Sequence, residues 1–162
     1  MTSKRTILIS GGTGYVGGRL IPMLLDRGYS VRAMVRSPQK LLARPWASHP
    51  DLDILPGDAL DRASFIKAGK GCSTAYYLIH SMNAHKHQFA EADRKAAENM
   101  VACAEQNKIQ RIIYLGGLGD KDHANLSHHL RSRHEVDNIL LLVWHAAQSR
   151  LVVQRCFESN CE

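Results

Sequence analysis

Three glycines, Gly11, Gly14 and Gly17, stand three residues apart in the stretch 6–25, TILISGGTGYVGGRLIPMLL. Where a strand turns into a helix, each has a physical use. Gly11 permits a tight turn, Gly14 lets backbone N–H groups approach a diphosphate, and Gly17 lets the helix lie close on the strand. The helix N-terminus adds unpaired N–H donors and the positive end of its dipole, which together make a cradle for an anion. No Gly-Lys-Ser/Thr follows the last glycine, so a nucleoside-triphosphate loop is disfavoured.

The next informative position is the end of the following strand, SVRAMVR. In this architecture an acidic residue there holds the ribose hydroxyls of NAD, whereas an arginine accommodates the extra phosphate of NADP. The sequence has Arg36, then Ser37, with Lys40 nearby, so NADP(H) is the preferred cofactor and NAD(H) a possible one. A solvated arginine with no special purpose is the bland alternative. Asp58, in GDALD, reads either as a turn or helix cap or as an acceptor for the adenine amino group. His80, His85 and His87 cluster in HSMNAHKH, but their spacing matches no helical His-x-x-x-His site and no carboxylate or thiolate joins them. No metal is expected.

The elements that must position these groups follow from periodicity. Residues 6–9 make a short β-branched run of the kind buried on both faces of a parallel sheet. A helix over 15–27 is expected to put Val16, Leu20, Met23 and Leu24 on one side, with Pro22 weakening or bending it and Gly28 ending it. Strands follow at 30–36 and 52–55, a short helix at 63–70, a strand in STAYYLIHSM, and a long helix at 88–107 with Phe89, Ala92, Ala96, Met100, Val101 and Ala104 recurring at helical spacing. RIIYLGGLG is a fifth strand, and a last helix over 130–144 carries Val136, Ile139, Leu140 and Val143. Ligands in such sheets bind beyond the carboxyl ends of the strands, which makes Leu78, Ile79 and His80 neighbours of the cofactor. The expected fold is α/β, a Rossmann-type doubly wound parallel sheet in order 3-2-1-4-5. Residues 1–146 form the dinucleotide-binding domain and 147–162 an atypical tail, either disordered or supplying a short sixth strand at Leu151, Val152 and Val153.

The chain has 162 residues and a net charge of +6. The basic residues are scattered, with no Lys/Arg block and no interleaved aromatic stripe, which argues against a nucleic-acid partner. No apolar run reaches membrane-span length and no leader is read at the start, so a cytoplasmic protein is expected. Four cysteines form no Cys-x-x-Cys pair, and Cys72 and Cys103 read as buried free thiols.

GGTGYVG, VRAMVR, GDALD, AYYLIHSM, RIIYLGGLGD and HLRSRHEV together resemble the atypical short-chain dehydrogenase/reductases. More narrowly, they are similar to bacterial NAD(P)H-binding proteins related to NmrA-like regulators and to NAD-dependent epimerase/dehydratases. The resemblance implies a nicotinamide dinucleotide with Gly11, Gly12, Thr13, Gly14, Tyr15 and Val16 at the diphosphate. It implies Arg36 at the 2′-phosphate, Asp58 and Ala59 near adenine, and Leu78, Ile79 and His80 beside the ribose and nicotinamide. Active relatives use a serine and a Tyr-x-x-x-Lys step. Here the matching positions are Gly116 or Gly117, His129 and Arg133. His129 can exchange a proton near neutral pH, and Arg133 can hold ribose hydroxyls or a phosphate. Relatives also continue past the equivalent of Leu140 into a substrate region, so a shortened chain is expected. Three readings result: an NADPH-dependent reductase acting on an unknown small organic substrate, a non-catalytic NADP(H)-sensing or partner-binding protein, and a structural module.

Overall fold

A computed structural model of the chain describes residues 5–79, 86–116, 128–146 and 152–155. In chain order the elements are β1 (Thr6–Ser10), α1 (Tyr15–Asp26), β2 (Ser30–Val35), α2 (Gln39–Leu42), β3 (Leu52–Pro56), α3 (Arg62–Gly69), β4 (Cys72–Tyr77), α4 (Lys86–Asn107), β5 (Arg111–Tyr114), α5 (His128–Ala146) and β6 (Val152–Arg155). The strands form one parallel sheet in the order β3-β2-β1-β4-β5-β6. This is the expected doubly wound Rossmann-type order, with residues 152–155 as a sixth strand beside β5. No helix among the described residues is long and apolar enough to cross a membrane.

Strand alternation divides the core between the two faces. Ile7 and Ile9 of β1 point to the side where α1 and α2 bring Ile21, Leu24 and Leu41, while Leu8 points to the side of Phe65, Met100 and Ile112. That is why the β1 run is apolar without a break. On α4 small residues do much of the packing: Ala96, Ala97, Cys103 and Ala104 are buried with Met100. A side chain on Gly69 of α3 would collide with the Cys103 sulfur at 2.3 Å, so these helices meet at close range. Cys72 and Cys103 are buried free thiols. Burial pushes the Cys103 thiol up to about 11 and raises Cys72 also, which keeps both protonated and unreactive near neutral pH.

The buried face of α1 differs from the sequence expectation. Gly17, Ile21, Leu24 and Leu25 face the sheet, whereas Val16 and Met23 are 39% and 49% exposed. The cause is Gly17, whose missing side chain sets the docking face in place of an apolar one. Pro22 is accommodated within the helix. At its end Gly28 takes φ +79°, its N–H bonds the Leu25 carbonyl, and the Tyr29 N–H bonds that of Leu24, a Schellman termination.

Arg32, in mid-β2, binds elements far apart in the chain. Its Nε donates to Asp53 of β3 at 2.8 Å, and its Nη1 donates to the Ala68 and Lys70 carbonyls, closing the end of α3. Arg32→Ala is expected to cost about 1–2 kcal/mol of stability, the net worth of two or three partly exposed hydrogen bonds; urea unfolding measures it.

Tyr77 packs against Tyr114 with ring centroids 5.8 Å apart, and its buried hydroxyl has no hydrogen-bond partner among the described residues. Burial and the Asp93 carboxylate together push its phenol well above the ordinary range. Tyr77→Phe removes an unsatisfied buried group and is expected to raise stability by about 1 kcal/mol. A fall in the urea midpoint would instead mean that the hydroxyl is satisfied in solution.

Candidate dinucleotide site

The crevice lies where the connections diverge, beyond the carboxyl ends of β1 and β4. The two ends are tied: the Leu78 N–H donates to the Ser10 carbonyl at 3.0 Å, and the buried Ser10 hydroxyl donates to the Tyr76 carbonyl at 3.1 Å. Gly11 leaves β1 at φ +89°, and a Cβ there would stand 2.7 Å from the Leu78 carbonyl oxygen. Both the conformation and the space require glycine.

The Gly14 N–H closes the turn onto the Gly11 carbonyl at 3.1 Å. Gly14 is the N-cap of α1 and has no side chain with which to cap it, nor is there an acidic residue in the first turn. Neither the N-cap nor an acidic residue of the first turn therefore satisfies the first-turn donors. A Cβ on Gly17 would lie 2.5 Å from the Gly11 oxygen and 2.7 Å from the Gly12 Cα, so α1 begins in direct contact with the loop. Gly12 turns inward against Ile21, Ala33 and Leu41, which makes it a packing glycine. Thr13, Gly14, Tyr15 and Val16 are exposed, and the Arg19 guanidinium stacks over the Tyr15 ring at 3.8 Å.

Arg36 follows β2 directly. It is exposed and has no ion pair among the described residues. The neighbouring loop is joined to β2 by the Gly57 N–H, which donates to the Val35 carbonyl. Asp58 forms a turn, its Oδ1 accepting from the Leu60 N–H at 3.0 Å, while the cap of α3 is Asp61, which accepts from the Ala63 and Ser64 N–H groups. Within the first sequence reading of Asp58, a turn or helix cap, the turn is present and the cap is Asp61. Asp58 itself remains exposed.

At the other side of the crevice Leu78 is buried and Ile79 half-buried. His80, His85 and Gly117 lie outside the described residues. His129 belongs to α5, but its side chain, like that of His87, lies outside them too. Among the described residues no three His, Cys, Asp or Glu side chains gather into a metal site. Arg133 donates from Nη1 to the Gly116 carbonyl at 3.2 Å, so its guanidinium reaches the end of β5, and its buried Nε has no partner among the described residues. Beside it the buried Ser132 hydroxyl donates to Asp93 of α4 at 2.9 Å, and the Tyr114 hydroxyl donates to the Arg133 carbonyl. Burial raises the Tyr114 phenol to about 12 despite the nearby Arg133 charge. Sequence reading missed Ser132, Asp93 and Asn99 because their partners are 39 or 40 residues away and leave no local spacing.

An uncapped helix start, a turn that only glycine can make, and an exposed arginine beyond the second strand suit a dinucleotide. The family model described as NAD(P)H-binding matches residues 11–158, and the chain belongs to that family: it is an NAD(P)-binding domain of the short-chain dehydrogenase/reductase and epimerase–dehydratase superfamily. It is 31% identical over 129 residues to a dihydroflavonol 4-reductase of Zea mays, covering 73% of this chain and 36% of that one. It is 30% identical over 122 residues to a 3 beta-hydroxysteroid dehydrogenase/Delta 5-->4-isomerase of Mycobacterium tuberculosis, covering 70% and 32%. The chain thus spans about a third of the length of these relatives. Among solved structures, Pen from Bacillus thuringiensis superposes with a TM-score of 0.81 at 14% identity, over 94% of this chain and 50% of that one. MoeE5 in complex with UDP-glucose and NAD gives 0.72 at 20% identity, over 91% and 52%. At these identities the superpositions speak for the fold.

Proposed function

We propose that the chain is the cofactor-binding part of an NADP(H)-preferring oxidoreductase acting on a small organic substrate in the cytoplasm. The observation that carries the preference is Arg36, exposed and without an ion pair among the described residues where an NAD site would have a carboxylate. In this reading the backbone from Gly11 to Val16 holds the diphosphate, Arg36 the 2′-phosphate, Asp58 and Ala59 the adenine, and Leu78, Ile79 and His80 line the ribose and nicotinamide end. When bound, the nicotinamide supplies hydride exchange. His129 serves as proton donor, and Arg133, fixed to Gly116, holds a ribose hydroxyl or a phosphate. Arginine stays protonated and cannot itself act as the acid.

A second reading, an NmrA-like protein that senses NADP(H) without turning it over, is favoured by one observation: where active relatives have a serine, a tyrosine and a lysine, this chain has Gly116 or Gly117, His129 and Arg133. Substrate-dependent oxidation of NADPH across a panel of carbonyl compounds separates the two readings. For the shared claim, adenosine 2′,5′-bisphosphate is expected to compete at least tenfold better than AMP, from which it differs only by the 2′-phosphate, the worth of about one charge-assisted hydrogen bond. Equal competition would remove the NADP assignment.

A further inference from the structure

The loop proposed to face adenine is held from two directions. Locally, Ser64 of α3 accepts from the Asp58 N–H at 3.2 Å, and its hydroxyl lies 3.0 Å from the Asp58 carbonyl it can donate to; the Asp61 N–H also bonds that carbonyl. From across the domain, Asn99 of α4 donates from Nδ2 to the Ala59 carbonyl at 2.8 Å, 40 residues away in sequence. Asn99 is buried on α4, whose Ala96, Met100 and Cys103 belong to the core. A buried amide costs free energy unless it is bonded, and a packed helix position allows its side chain little freedom. Asn99 therefore makes a short bond from a rigid base to the residue beside Asp58. The Asp58 carboxylate uses Oδ1 for the Leu60 N–H, and its direction is set by the loop backbone that Asn99 holds.

We infer that Asn99 is a positioning residue for adenine recognition: it fixes the Ala59 carbonyl so that the Asp58 carboxylate meets the exocyclic amino group of the base. The inference rests on the dinucleotide reading above and extends it to a residue that touches no part of the cofactor.

A purely architectural bond would affect stability alone, so the test compares two ligands differing only at that amino group: NADPH and its purine analogue, in which hydrogen replaces the 6-amino group of adenine. The chain is titrated calorimetrically with each, as wild type and as Asn99→Leu, which keeps the branched side-chain shape but removes the donor. Asn99→Ser serves as a second variant in case the first does not fold. Wild type is expected to favour NADPH by about tenfold or more, the worth of one hydrogen bond to a carboxylate, and the folded variant to bind the two within twofold. A variant that is less stable but keeps the wild-type preference overturns the inference and leaves dinucleotide binding intact. Wild type binding both ligands equally refutes the adenine role of Asp58 and this inference with it. Wild type binding neither refutes the underlying reading.

Discussion

Gly11→Ala is expected to abolish dinucleotide binding in the accessible concentration range and to destabilise the fold by roughly 2–4 kcal/mol, since it adds backbone strain to a steric collision. Gly11 has φ +89°, and its added Cβ would stand 2.7 Å from the Leu78 oxygen, a backbone atom fixed by the bond of the Leu78 N–H to Ser10. Relief requires β1 and β4 to part at the mouth of the crevice. Two other glycines divide the effect into its causes. Gly28 has φ +79° but nothing within 4 Å of its added Cβ, so Gly28→Ala costs about 1 kcal/mol of strain and leaves binding unchanged. Gly17 is an ordinary helical residue whose Cβ would meet the Gly11 oxygen at 2.5 Å, so Gly17→Ala should resemble Gly11→Ala in binding. Urea unfolding and NADPH titration of the three variants check this. Equal binding by all three would show that the cradle is not the dinucleotide site.

Arg36→Ala is expected to weaken NADPH by about 10–100-fold while NADH changes by less than about twofold, because a charge-assisted hydrogen bond is worth roughly 1.5–3 kcal/mol and only NADPH carries its acceptor. Arg36 is exposed, so the effect should shrink as salt is raised. Arg36→Asp goes further: its carboxylate repels the 2′-phosphate and accepts from ribose hydroxyls, so the preference should reverse toward NADH. Parallel losses for both cofactors in Arg36→Ala would mean that the guanidinium supports the loop and does not read the phosphate.

The first strand was legible because it is apolar on both faces. Ile7, Leu8 and Ile9 serve opposite cores, and a run without alternation is what burial on two sides demands. Gly28 announced the end of α1 because a Schellman turn calls for a residue that takes positive φ readily. The orientation of α1 was not legible, since ranking side chains by hydrophobicity ignores a face defined by the absence of one at Gly17. Asp58 and Asp61 both precede α3, and composition could not say which would cap it; the answer lay in where the first helical turn begins. Arg32, Asn99 and Ser132 were illegible for another reason. Their partners lie 21 to 40 residues away, and each bond exists only once the sheet and the α3–α4–α5 layer have been assembled.

The central claim is that the glycine turn and Arg36 together form an NADP(H) site. Calorimetric titration of the chain with NADPH and with NADH tests it most directly. The account predicts NADPH binding in the micromolar range, about −8 kcal/mol, with NADH at least tenfold weaker. NADH binding as tightly as NADPH, or neither cofactor binding to folded protein, would contradict it.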